Sequence, residues 1–335
     1  MRNKIANPFV VSLLLASAVA LANGQTVTAS IALPNLPEQV ATNPVTNRVY
    51  VAVPNFGTPA YDYLTVIDGK KNTVIKHIQI PPVAYAVAVD PLRNIVYVGG
   101  ADLQADGSVT GSEVVAINGA TNKILKTISV TSTPTSPGIQ GLAVNWVTGD
   151  IYAANGSDNE VDVIHNYKVS ARIAVGGNAY GVAVNQLTGT VYASLADVGG
   201  VVVIDPKTNQ ITTSTPFGTA GAGIAVNSVT GDVFTTNSVG APGIGQVGAL
   251  NSAGSLLATI TVGNVPTGID ADLGTNLVFV ANTGDDTLSV INGSTNAVTS
   301  TVPVSSLFVA VNPITEKVYI APQDPVAALT VTTEK

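Results

Sequence analysis

The phrase "VAVNQLTGTVYAS" (182–194) is one of seven versions of itself, and that repetition limits the fold more than any other feature. "LAVNWVTGDIYAA" stands at 142–154, "IAVNSVTGDVFTT" at 224–236 and "VAVNPITEKVYIA" at 309–321. The copies align on an aromatic residue, Tyr50, Tyr97, Tyr152, Tyr192, Phe234, Phe279 and Tyr319, at spacings of 47, 55, 40, 42, 45 and 40. Units of about 40–45 residues holding several short strands are the signature of propeller blades. Helical repeats of similar length need apolar residues about every 3.6 positions. Here the apolar runs are short, β-branched and broken by Gly, Asn and Pro.

Each copy divides into four strands, a to d. Strand a is the "VAV" that opens the phrase, and strand b carries the aromatic residue. Asn or Asp begins the turn between them in every copy: Asn43, Asp90, Asn145, Asn185, Asn227, Asp272 and Asn312. Such side chains accept from the backbone two residues on and so set the turn. Four residues later stands Asn47, Asn94, Gly149, Gly189, Gly231, Asn276 or Glu316, and all but the last are residues that tolerate positive φ. Strand c ends in phrases such as "LTVIDG" and "LSVING", followed by a c–d turn, "DGKKN", "NGATN", "DPKTN" or "NGSTN". Copies three and five replace it with "HNYK" and "NSAG".

The seventh copy has strands a, b and c ("AALTVTT", 327–333) and no strand d after them. The segment "TVTASIAL" (26–33) precedes the first copy and has no strands of its own before it. Placing it as the missing strand d closes the ring and removes both open sheet edges. The expected fold is therefore an all-β, seven-bladed β-propeller, closed by an N-terminal strand that completes the last blade, with essentially no helix.

The strand-b phrases "NPVTNRVYVA", "NPITEKVYIA" and "VFVANTGDDTLSVINGSTNAV" resemble the YVTN-type β-propeller repeat, and the resemblance spans nearly all the chain after residue 24. It implies a propeller scaffold of the kind found in exported bacterial and surface-layer-like proteins. It implies no single activity.

Arg2 and Lys4, an apolar run from Phe9 to Leu21 and the small-residue stretch "ALANGQ" have the form of a secretory signal. Cleavage after Ala22 or after Gly24 fits, leaving residues 25–335 as one propeller domain, exported to the periplasm or beyond the cell. A run of 13 residues is short of the ~20 that span a bilayer, so no membrane insertion is expected after cleavage. With no cysteine, disulfides, thiolate metal sites and haem attachment are excluded. Removal of the signal leaves 12 Lys+Arg against 21 Asp+Glu, a formal charge of −9. Such a chain does not attract nucleic acid or anionic lipid non-specifically.

With strand order fixed, each charge falls on one face of the disc. The d–a and b–c connections share the top; the a–b and c–d turns share the bottom. The top takes Glu38, Asp62, Asp102, Asp106, Glu113, Asp158, Glu160, Asp197, Asp285, Asp286 and Asp324, and no base falls in a top loop. The bottom takes eight bases and seven acids. A base-free acidic face disfavours polyphosphates and suits cations, carbohydrate hydroxyls or a basic partner, although acids also serve solubility alone. Candidate ligand contacts are Glu38, Asp158, Asp197, Asp285 and Asp286, with Tyr85 and Tyr180 on d–a loops near the channel mouth. Phe308 leads into blade seven, and Phe56, Tyr61 and Tyr63 occupy the first b–c region.

Two candidate metal positions stand out. "DLQADGSVTGSE" (102–113) resembles a calcium loop, with Asp102, Gln104, Asp106, Ser108 and Glu113 at oxygen-ligand positions and Gly107 at the sharp turn. Its flanks are strands, and a plain solvated loop is the rival reading. Asp270 replaces the Ala of the other six copies on strand a. A carboxylate there is either a hydrogen-bonding structural group or, with Glu38, part of a divalent-ion site of the lactonase type. The two histidines, His77 on a d strand and His165 in a bottom turn, cannot share a site, and no nucleophile elbow or P-loop occurs. The sequence favours an exported, non-catalytic binding or scaffold module of monomeric state, with no cofactor and with a protein or carbohydrate of the envelope as partner. A carboxylate-metal hydrolase is the alternative.

Overall fold

The computed structural model describes residues 27–55, 61–82, 84–103, 108–130, 138–238, 244–323 and 328–333. Residues 1–26, with the leader-like stretch, and Phe56, Gln104, Asp106, Gly107 and Asp324 lie outside them. The described residues form 28 strands in seven four-stranded antiparallel sheets, with one three-residue 3-10 turn at Gly156–Asp158. In blade one the strands run Gln39–Asn43, Arg48–Val53, Asp62–Asp68 and Thr73–Ile80, in radial order a-b-c-d. The a strands of neighbouring blades touch one another and line the axis of a closed ring. This is the seven-bladed β-propeller expected from the repeat.

Blade seven is built from both ends of the chain. Strand a (Phe308–Asn312), b (Lys317–Ala321) and c (Ala328–Thr333) are completed by Val27–Ala32 as strand d. That strand pairs Ile31 with Leu329 and Ala32 with Ala328, and no blade is left with an open gap.

The seven aligned aromatic residues explain why blades adhere. Each fills the interface between its own blade and the next, and each is essentially inaccessible to solvent. Tyr50 packs with Val87, Val89, Val96 and Val98 of blade two; Phe279 packs with Val309, Val311, Val318 and Ile320 of blade seven. The last interface closes in the same way. Tyr319, Leu329 and Ile31 of blade seven meet Val49 and Val51 of blade one. Replacing any of these rings by Ala removes contacts from two blades at once, at about 3–5 kcal/mol each.

The turns follow the expected chemistry in all seven blades. Asn43 Oδ1 accepts from the backbone of Val45 and Thr46, Asp90 from Leu92 and Arg93, and Asn185 from Leu187 and Thr188. Asn145, Asn227, Asp272 and Asn312 repeat the bond. The fourth residue on has positive φ even at Glu316 (φ 54°), where the sequence alone marked a departure.

An unanticipated exchange links the two bottom turns of a blade. Where the positive-φ residue is Asn (Asn47, Asn94, Asn276), the c–d turn facing it holds Gly69, Gly119 or Gly293, and a Cβ there would strike the Asn side chain. Where that residue is Gly189 or Gly231, the facing residue grows to Pro206 or Ser252. One of the two must be small. Blade three, which lacks the usual c–d phrase, turns instead through Asn166 (φ 50°) and Tyr167 (φ 61°), both left-handed, and pairs His165 directly with Lys168. That is a two-residue hairpin of the primed type.

Candidate functional site at the channel mouth

The a strands enclose an axial cavity of 310 Å³, lined mainly by Val, Ala and Gly. The inner edge of an a strand has no neighbouring strand to pair with, so its N–H and C=O groups need side chains or solvent. Several lining residues meet that need. Gln39 accepts from Val87 N at 3.1 Å and donates to Gln140 O at 3.3 Å. Gln186 accepts from Trp146 N at 2.9 Å and donates to Val144 O at 2.8 Å. Thr42 donates to Val311 O at 2.7 Å.

Asp270 belongs to this set. Its Oδ2 accepts from Val311 N at 2.8 Å, on the next blade, and its Oδ1 accepts from Ala271 N at 2.9 Å. Asp270 is half-buried and lines the cavity. Burial, only partly offset by the two N–H bonds, lifts its pKa to about 6. Among the described residues no three His, Cys, Asp or Glu side chains gather to hold a metal ion. With both oxygens accepting backbone N–H groups, Asp270 is a hydrogen-bonded tie between blades six and seven.

Of the calcium-loop candidates in 102–113, Gln104, Asp106 and Gly107 lie outside the described residues. The backbone does not open at Asp102. It continues as a ladder, pairing Asp102 with Gly111 and Leu103 with Val109, and Glu113 pairs with Gly100.

The acids of the top face separate into two groups. Asp62 is buried: Oδ1 accepts from Asn55 N and Oδ2 from Ala84 N, both at 2.8 Å. Asp197 Oδ1 accepts from Asn178 N at 2.8 Å, and Asp285 Oδ2 from Asn264 N at 2.5 Å. Each fastens a b–c region to a d–a loop, a task that Asn237 performs in blade five toward Thr219 and Ala220. Asp158 accepts from the Asn155 amide. Asp286 takes the left-handed turn position (φ 51°), where its carbonyl accepts from Val304 N. These four candidate contacts are thus loop-organising residues distributed around the rim. The charge pattern is also less uniform than the loops imply. Arg172, on a d strand, reaches up to Asp162 at 2.9 Å and Glu160 at 3.9 Å, beside Asp158.

The second group lies nearer the axis. Glu38 and Tyr85 lie on d–a loops, whereas Tyr180, expected on such a loop, belongs to strand a of blade four (Ala179–Val184). Tyr180 lines the cavity, as do Gln39, Gln140 and Phe308. Burial raises the pKa of Glu38. Burial and then the charge of Glu38 raise the Tyr180 phenol; burial, Glu38 and Asp62 raise that of Tyr85. Tyr61 and Tyr63 do not join them. They stack edge to face at 5.3 Å, with Tyr63 against His77 on the outer part of blade one.

Gln39 and Gln140 were not singled out from the sequence, although their places one and two residues before the strand-a phrase are visible there. His77 Nδ1 lies 2.9 Å from Thr65 Oγ1, and His165 Nδ1 lies 2.6 Å from Asp150 Oδ1 on blade three, so the histidines occupy separate blades. Among the described residues no helix is long and apolar enough to cross a membrane.

No family model and no curated protein matches this sequence. Among solved structures, a chain of hydrazine synthase from Kuenenia stuttgartiensis is similar, with a TM-score of 0.72 over 90% of this chain and 97% of that one. At 13% identity the likeness is one of fold.

Proposed function

We propose that this chain is an exported, non-catalytic binding module of the YVTN-repeat type, which takes its ligand at the top mouth of the channel. The single observation that carries the reading is a preformed axial cavity lined by Tyr180, Gln39 and Gln140, with Glu38 near enough for its charge to act on both Tyr180 and Tyr85. Two phenol rings with a carboxylate and the amides of Gln39 and Gln140 offer apolar faces for stacking and polar edges for hydroxyl groups. A carbohydrate chain of the cell envelope fits that chemistry; a projecting segment of an envelope protein would use the same groups. The leader pattern of residues 1–24 supports export. The rim acids act as supports that hold the mouth in shape.

Titration of envelope-derived oligosaccharides onto the purified protein, followed by calorimetry, tests this. Tyr180→Ala and Tyr85→Ala should each weaken binding about tenfold or more, and Glu38→Gln less, with melting unchanged. Absence of binding to every glycan and envelope protein fraction, or binding indifferent to all three substitutions, would refute the reading.

A further inference from the structure

The bottom face carries an apolar ring that the top-face reading does not use. Val45, Leu92, Val147, Leu187, Val229 and Ile314 are all between 64 and 74% exposed, the highest values among the exposed large hydrophobic side chains described. They hold the same position in six of the seven a–b turns, two residues after the Asn or Asp that opens the turn. The seventh turn has Gly274 there. What the turn requires of this position is its backbone N–H, which bonds the Asx oxygen, as at Val45, Leu187 and Gly274 alike. An aliphatic side chain is not part of that requirement. Six exposed aliphatic tips repeat around one channel opening, a concentration that singly scattered apolar residues do not give.

The ring is also stiff. Arg93 donates to Trp146 O and Val147 O at 2.9 and 3.2 Å, fixing the turn of blade three from blade two. Gln186 N donates to Ser228 Oγ at 2.8 Å, joining blade four to blade five. A surface already ordered loses little entropy on docking.

We propose that this face binds a second copy of the same chain, bottom to bottom about a two-fold axis. Charge selects that occupant. The bottom, with eight bases and seven acids, has almost no net charge, so two bottoms do not repel; in that arrangement the acidic tops point away from each other. A ring of equivalent tips on the end of a disc is self-complementary, as an isologous contact needs. Six aliphatic tips of about 100 Å² each supply on the order of 600 Å² per copy, near the ~800 Å² of a standard interface. A lipid surface fits less well. Membrane-surface faces combine a surplus of cations with aromatic residues, and the ring is aliphatic on a neutral face.

Sedimentation velocity from about 1 to about 100 µM tests the proposal. The expected result is a monomer–dimer equilibrium that Val147→Asp with Leu187→Asp weakens at least about tenfold, with melting unchanged because both side chains are exposed. Val147→Ser with Leu187→Ser, a gentler pair, should weaken it in the same direction. Asp197→Asn on the top should leave it intact. A monomer over the whole range, or a dimer indifferent to both pairs, would overturn the proposal. So would a monomer that cosediments with phosphatidylethanolamine–phosphatidylglycerol vesicles and loses this with the Asp pair, which would assign the ring to lipid.

Discussion

Asn312 donates its side-chain amide to Oδ1 of Asn47 at 3.0 Å, tying the turn of the last blade to that of the first across 265 positions. The same bond joins Asn43 to Asn94 at 3.1 Å and Asn227 to Asn276 at 2.7 Å. In each pair the acceptor is the Asn with positive φ, so one residue both permits the hairpin return and receives the neighbouring blade. The ring is thus closed on its inner bottom edge as well as through strand d of blade seven.

A double-mutant cycle isolates that tie. Asn47→Gly keeps the left-handed backbone and removes the acceptor; Asn312→Ala removes the donor. Chemical denaturation of the four proteins should give a coupling of about 0.5–1.5 kcal/mol. Coupling indistinguishable from zero would mean the bond is closed by geometry and adds nothing to stability.

The exchange of size between facing turns gives a second expectation. Gly69→Ser alone should destabilise by about 1–3 kcal/mol, because its Cβ meets Asn47. Adding Asn47→Gly reproduces the Gly231–Ser252 pairing of blade five and should recover part of the loss. If the double variant is as unstable as the sum of the single ones, steric exchange is not the reason for the alternation.

Asp62 and Tyr85 should separate support from contact. Asp62 is buried and accepts two backbone N–H groups, so Asp62→Ala should cost about 2–4 kcal/mol in thermal or denaturant unfolding. Tyr85→Ala, at an exposed position, should change stability by less than about 0.5 kcal/mol. The reverse order would show that the two bonds of Asp62 do not hold the mouth together.

The parts legible in the sequence are those decided by neighbours in the chain. Asn185 bonds Leu187 and Thr188, so the turn could be read from five consecutive residues. Tyr192 announces a core position by its place in a β-rich phrase that recurs seven times. The partners of Asp270 and Asp62 were not legible. Val311 lies 41 residues beyond Asp270 and Ala84 lies 22 beyond Asp62, and only the closing of the ring brings them together. Their role depends on backbone groups that any residue carries, which leave no mark in the sequence. Val147 and Leu187 show the opposite difficulty. Their identity was plain, but the apolar letters of a turn do not say whether they are covered.

Asp270 should also be visible in the pH dependence of stability. Its folded pKa, about 6, lies above the unbonded value of 3.8, so between those values the folded state holds more protons than the unfolded one. Stability therefore falls as pH rises from about 4 to about 6 and levels off above. Asp162, also lifted to about 6 by burial, acts in the same direction. Asp270→Ala should flatten that decline by on the order of 1–2 kcal/mol without abolishing it, as measured by urea unfolding from pH 4 to pH 7. An unchanged slope would show that the carboxyl titrates as if exposed.

The proposed binding surface is the top mouth, with Glu38, Tyr85 and Tyr180. The most direct measurement is capture from envelope extract by immobilised wild type, by Tyr85→Ala with Tyr180→Ala, and by Val147→Asp with Leu187→Asp. The tyrosine pair should lose the glycan or protein retained by wild type, while the bottom pair keeps it. A ligand retained by the tyrosine pair and lost by the bottom pair would contradict it.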